Sequence, residues 1–223
     1  MPYRFEPLVT GEIYHIMNRG VARAPIFSGR QEYQRFLETI DYYRFQDAPG
    51  KLSAFKVLAI DQRQAIRADL AKKNEKTVEI LAYCLMPNHF HLLLKQLQDG
   101  GISVFMRKSS VSYGRYFNTK NERIGAIFQG MFKAVRIMSE EQLLHVIRYI
   151  HINPYTGMVI KKEALKTYPW SSLPEYLREK ESDLINQKLV KEWFSSGKKH
   201  WQFIVDEADY QRRIKEMSFL HLE

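Results

Sequence analysis

Apolar residues recur along this chain at two spacings, every second position in some stretches and every third or fourth in others. These are the marks of strands and of amphipathic helices. Glu12 to Arg19 reads as a strand that ends at Gly20. From Ser28, a candidate N-cap, to about Gln46, the residues Phe36, Leu37, Ile40 and Tyr43 fall at helical spacing, and Ala48-Pro49-Gly50 breaks the run. Residues 51–76 read two ways: their apolar start fits a strand, while Asp61 to Lys73 fits a charged helix. Val78 to Met86 is an apolar strand, Pro87-Asn88 a tight turn, and His89 to Gln96 its partner. Gly100-Gly101 punctuates the chain before a helix capped by Ser103, which runs to about Asn118 on Phe105, Met106, Val111 and Phe117. After turn-rich residues 125–130, Lys133 to Met138 reads as a strand. Ser139-Glu140-Glu141-Gln142 then opens a helix with an N-cap and an acidic first turn. That helix carries Leu143, Leu144, Ile147, Tyr149 and Ile150 and is expected to stop near Asn153-Pro154.

Strand, helix, paired strands, helix, strand is the order of a split β-α-β unit, so the expected class is α+β with a ferredoxin-like antiparallel sheet. The first and third strands would be central, with helices covering one face and the other face open. Beyond residue 160 the pattern weakens. Tyr168-Pro169-Trp170-Ser171-Ser172 reads as a docked turn, and Lys188 to Phe194 and Asp206 to Met217 as short helices. The division expected is a domain over 1–160, with 51–76 a candidate insertion, followed by a mostly helical extension over 161–223.

On the third strand, His89 and His91 flank Phe90, so both imidazoles would share one face while Phe90, Leu92 and Leu94 take the other. Two imidazoles leave a divalent ion under-coordinated, and a third ligand is expected. Tyr149 and Asn153 are four apart on the last core helix and share a face. The Asn153 amide oxygen would complete a metal site, with Tyr149 one turn away beside a metal-bound phosphate. A phenol is a poor nucleophile at its ordinary pKa of about 10. A metal that polarises a phosphodiester eases attack and stabilises the developing charge. His145, one turn earlier, is a candidate acceptor for the phenolic proton.

Composition narrows the partners. The net charge of +9 points to a polyanion, and 13 tyrosines with 13 phenylalanines offer surfaces on which bases stack, although most belong in a core. Arg19, Arg107, Lys108, Arg115, Lys133 and Arg136 are the candidate phosphate contacts. The single Cys84 excludes an internal disulfide and a multi-cysteine zinc site. With no long apolar run and no signal-like start, no membrane association and a cytoplasmic location are expected.

Met86-Pro87-Asn88-His89-Phe90-His91, together with Tyr149-Ile150-His151-Ile152-Asn153-Pro154, resembles the single-tyrosine HUH transposases, closest to the REP-associated tyrosine transposases. Tyr14 to Gly20 and Phe128-Gln129-Gly130 resemble recurring stretches of the same branch, and the likeness covers roughly residues 10–160. The resemblance implies a ferredoxin-like or RRM-like HUH fold, Mg²⁺ or Mn²⁺, and cleavage of single-stranded DNA through a 5′-phosphotyrosine with a free 3′-OH. It implies imperfect DNA hairpins as partners, and a monomer or a homodimer. By position, His89 and His91 match the metal histidines, Tyr149 the nucleophile and Asn153 the polar third ligand. Met131 departs from the pattern, since many relatives carry a basic residue after the glycine.

Rival readings remain at this level. Tyr113 and Tyr116 are alternative nucleophiles, although neither has a polar ligand followed by a helix stop four residues on. Asn153 before Pro154 also suits a helix C-cap. A domesticated nucleic-acid binder without catalysis, or a phosphodiesterase that activates water, would carry the same basic surface.

Overall fold

The computed structural model describes residues 7–178, 183–194 and 196–213. Four strands, β1 (Ile13–Arg19), β2 (Val78–Met86), β3 (His89–Gln96) and β4 (Lys133–Arg136), form one antiparallel sheet in the order β2-β3-β1-β4. The helices are α1 (Arg30–Tyr43), α2 (Leu52–Val57), α3 (Ile60–Lys73), α4 (Gly101–Lys120), α5 (Glu140–Thr156), α6 (Leu173–Leu177), α7 (Lys188–Lys191) and α8 (Gly197–Val205). The α+β class and the central places of β1 and β3 are as the sequence predicts.

α1 and α4 cover one face. Phe90 on β3 meets Phe36 with ring centroids 4.9 Å apart, and Phe36 meets Tyr113 of α4 at 5.1 Å. Phe90, Leu92 and Leu94 are fully buried, each worth roughly 1.5–3 kcal/mol of transfer free energy. The other face is not open. α5 crosses it over β2 and β3, with Leu143, Ile147 and Ile150 buried beneath it. Covering both faces explains why β2 reads as an almost unbroken apolar run: every residue but Glu79 is buried.

Several element limits differ from the sequence reading, each for a local reason. Ser28 is not the cap of α1; Gly29 is, and its carbonyl receives Glu32 N–H and Tyr33 N–H. α1 ends at Tyr43 because residues 45 and 46 pair with the approach to β2, Gln46 N–H donating to Glu75 O at 3.0 Å. Residues 52–57 are helical, not a strand, and bury Leu52 and Phe55 against Tyr42 and Tyr43. α4 starts at Gly101 rather than Ser103. There the backbone passes so close to β2 that a Cβ on Gly101 would stand 2.4 Å from Thr77 O. β4 stops at Arg136, before Met138. α5 runs through Pro154 to Thr156: the proline removes one donor, but Gly157 N–H still reaches Asn153 O at 2.8 Å.

The C-terminal residues close the edge of β2. Leu85 N–H donates to Trp170 O and Ser172 N–H to Tyr83 O, at 2.8 and 3.0 Å. The Tyr168 and Tyr176 hydroxyls donate to Leu85 O and Leu81 O, and Asn186 N–H to Ile80 O. The predicted turn at 168–172 therefore docks on this strand. α8 packs on the outer side of α5, where Arg148 Nε donates to Phe203 O at 2.9 Å. α8 had no counterpart in the sequence reading. Lys188 to Phe194 yields only the short α7, and the last residues of the Asp206–Met217 prediction lie outside the described residues.

Candidate metal and tyrosine site

Register decides which side chains meet on the α5 side of the sheet. β1 and β3 pair Met17 with His91, His15 with Leu93 and Arg19 with His89. Paired residues share a face, so Arg19, Met17 and His15 stand on the same side as His89 and His91. His15 is thus the diagonal neighbour of His91. Its Nε2 lies 2.9 Å from His91 Nδ1, with ring centroids 5.0 Å apart. His89 lies 5.0 Å from His91, ring to ring, at 89°, and its Nδ1 is 2.6 Å from Asn88 Oδ1. Asn88 is itself anchored through Nδ2 to Arg23 O.

α5 brings the remaining groups. Its start is fixed by a reciprocal cap: Ser139 Oγ accepts from Gln142 N–H, and Gln142 Oε1 from Met138 N–H. The buried Leu143, Ile147 and Ile150 set its rotation, which turns Tyr149 and Asn153 toward β3. The Tyr149 ring sits 5.3 Å from His91 and 5.9 Å from His15, and remains 37% exposed. Asn153 is fully buried. Its Nδ2 lies 3.4 Å from His91 Nε2, and its Oδ1 has no hydrogen-bond partner.

Burial pushes the Tyr149 phenol above its ordinary value, opposed by its hydrogen bond with Asn153 and by the nearby charge of Arg19. Burial also lowers His15 to about 4, which keeps it neutral.

The donor set suits a divalent ion. Asn153 Nδ2 stands 3.4 Å from His91 Nε2, so an amide turned end for end would set Oδ1 beside that nitrogen, near the roughly 3 Å that separates neighbouring ligands of one small ion at about 2.0–2.1 Å bond lengths. A buried amide oxygen without a partner is costly unless something pairs with it. Among the described residues no three His, Cys, Asp or Glu side chains gather as a metal cluster, so a site here would rest on the amide for its third ligand.

The other sequence candidates divide between the two faces. Arg19 belongs to this site. Lys133 pairs with Met17 and shares its face, while Arg136 pairs with Tyr14 on the opposite face and is bound to Glu12 at 2.7 Å. Arg107, Lys108 and Arg115 line a groove of about 570 Å³ on the α1 and α4 side, away from the imidazoles. The sequence reading missed Arg35 and Lys51 in this groove; Arg35 lies 5.2 Å over the Tyr116 ring. Tyr113 donates to Ile26 O in the core beneath, and Tyr116 lines the groove, so both rival tyrosines stand apart from the histidines. His145 is exposed and turned to Glu141, 3.9 Å away, rather than to the phenol. Its expected role as proton acceptor is not supported by that placement. His151 is buried against Ser172 Oγ at 2.9 Å. Asn153 is not the C-cap of α5; Gly157 is.

The family comparison adds sequence to this geometry. Residues 56–153 match the family model for IS200-like transposases. That IS200-like segment contains His89, His91, Tyr149 and Asn153. Among solved structures, the fold is shared with one described as a REP-associated tyrosine transposase bound to a REP hairpin. The TM-score is 0.53 at 17% identity, covering 83% of this chain and 91% of that one. No curated protein matches the chain.

Proposed function

We propose that this chain is a metal-dependent endonuclease and strand transferase for single-stranded DNA beside a hairpin, with Tyr149 as nucleophile. One observation carries the reading: the half-exposed Tyr149 ring stands over His91, while the buried Asn153 amide beside it has an unpaired oxygen. His89, His91 and Asn153 would hold Mg²⁺ or Mn²⁺. When bound, the ion would polarise the scissile phosphate and stabilise charge building on its oxygens.

Tyr149 Oη attacks phosphorus as the P–O3′ bond breaks. This leaves the 5′-phosphate on tyrosine and releases a 3′-OH. The phenolic proton passes to solvent, to which Tyr149 is open, and the departing 3′ oxygen takes a proton. Attack by a 3′-OH on the phosphotyrosine reverses these changes and rejoins strands without ATP. Arg19 counters charge near the phenol, and Lys133 on the same face grips flanking phosphate. The groove with Arg107, Lys108 and Arg115 holds duplex phosphates on the far side of the sheet. Arg136, bound to Glu12, holds its own strand rather than DNA.

The hairpin-bound neighbour supports a hairpin as substrate. Tyr149 stands beside the His91 of its own chain, which supports action in cis. Among the described residues no helix is long and apolar enough to cross a membrane. The test is a covalent protein–DNA adduct, formed with a library of single-stranded hairpins and Mn²⁺ and read on a denaturing gel. An adduct that Tyr149→Phe removes supports the reading. A protein that binds metal and hairpins normally but forms none is a non-catalytic binder.

A further inference from the structure

Of the three imidazoles on the α5 side of the sheet, one has no part in the reaction above. His15 is 6% exposed, and its Nε2 meets His91 Nδ1 at 2.9 Å. The contact is long-range in sequence and fixed by the β1–β3 register, because β1 carries His15 diagonally across from His91. The other nitrogen of His91, Nε2, faces the Asn153 amide at 3.4 Å. Only one tautomer lets Nε2 present a lone pair there, and it requires Nδ1 to carry the proton. A proton on Nδ1 needs an acceptor, and His15 Nε2 stands at hydrogen-bond distance.

We propose that His15 is a positioning residue: its Nε2 accepts the Nδ1–H of His91, fixing the ring and turning the Nε2 lone pair toward Asn153 and the metal position. This rests on the proposed metal site. It adds a third histidine that no ion touches, holding a ligand by its far side as outer partners of metal histidines do. The same contact ties the nucleophile's surroundings to β1, since the Tyr149 ring lies 5.9 Å from His15 as well.

The test combines Mn²⁺ affinity, measured on the DNA-free protein by electron paramagnetic resonance, with the His91 tautomer, read from long-range ¹H–¹⁵N couplings of metal-free wild type. His15→Leu keeps an apolar side chain but offers no acceptor; His15→Gln places an amide oxygen near the position of the wild-type Nε2. Mn²⁺ binding should weaken about 10- to 100-fold in His15→Leu and stay within a few-fold of wild type in His15→Gln. Metal-free His91 should carry its proton on Nδ1. Equal Mn²⁺ affinity in His15→Leu and wild type would overturn the proposal, as would equal weakening in a folded His15→Gln. So would a proton on His91 Nε2, a readout that needs no variant to fold. If wild type itself binds no Mn²⁺, the metal reading fails instead, and the tautomer still decides whether His15 receives the His91 proton.

Discussion

The two faces of the sheet carry the same strands but different chemistry. On the α5 side three imidazoles, a phenol and an amide converge within rings 5.0–5.9 Å apart, with Arg19 as the cation whose charge reaches the phenol. On the α1 and α4 side the strands bury Phe90, Leu92 and Leu94, and the cations lie farther out, along a solvent-facing groove. Reacting groups need a partly desolvated, rigid setting, whereas phosphate grips work well at the surface and are tuned by salt. On the proposed function, the difference means that cleavage and duplex grip would respond to different substitutions.

Tyr149→Phe should have the largest effect, loss of the covalent adduct to background with hairpin affinity unchanged. An undiminished adduct would move the nucleophile to the other face, where Tyr116 lies. Next comes Arg107→Ala combined with Arg115→Ala. This pair should weaken hairpin binding and lower the slope of log affinity against log salt by about 0.7–0.9 for each phosphate that is no longer neutralised. Cleavage at saturating DNA should be unchanged, and a fall in that rate would break the division between faces. A smaller effect is expected from pH. Because burial raises the Tyr149 phenol above its ordinary value, its reactive anion is scarce at neutral pH and grows as pH rises. Single-turnover adduct formation should therefore climb from pH 6 to pH 9 without levelling; a plateau below pH 8 would mean that another group titrates. The smallest effect belongs to Arg136→Ala. This partly exposed partner of Glu12 should cost less than about 1 kcal/mol in urea denaturation and leave hairpin affinity unaltered.

The sheet and its long helices were legible because their signals are local. Apolar-rich stretches bounded by turn residues marked β1, β2 and β3, and Ser139 with Gln142 marked the start of α5. Boundaries set by tertiary contact were not. Gly101 starts α4 because Thr77 leaves no room for a side chain, and nothing near Gly101 in the sequence states that. His89 and His91 could be paired from alternation, and Tyr149 with Asn153 from helical spacing. That the pairs would meet depended on where α5 docks. His15 was hidden for a related reason: its strand was read correctly, but its neighbour on β3 follows only from register. The candidate cations show the same limit, since charge and helix position do not say which face of the sheet a helix covers.

The closure of the β2 edge bears on solubility. Val78–Met86 is nine residues long and nearly all apolar. Trp170, Ser172 and Asn186 make backbone hydrogen bonds along its outer side, and the Tyr168 and Tyr176 hydroxyls donate to two of its carbonyls. A chain ended before Tyr168 would keep the strands that carry the histidines but offer a bare apolar ladder to its neighbours. Such a fragment would self-associate, as concentration-dependent light scattering would reveal, so the C-terminal segment works as a guard against misassembly as well as a support for α5.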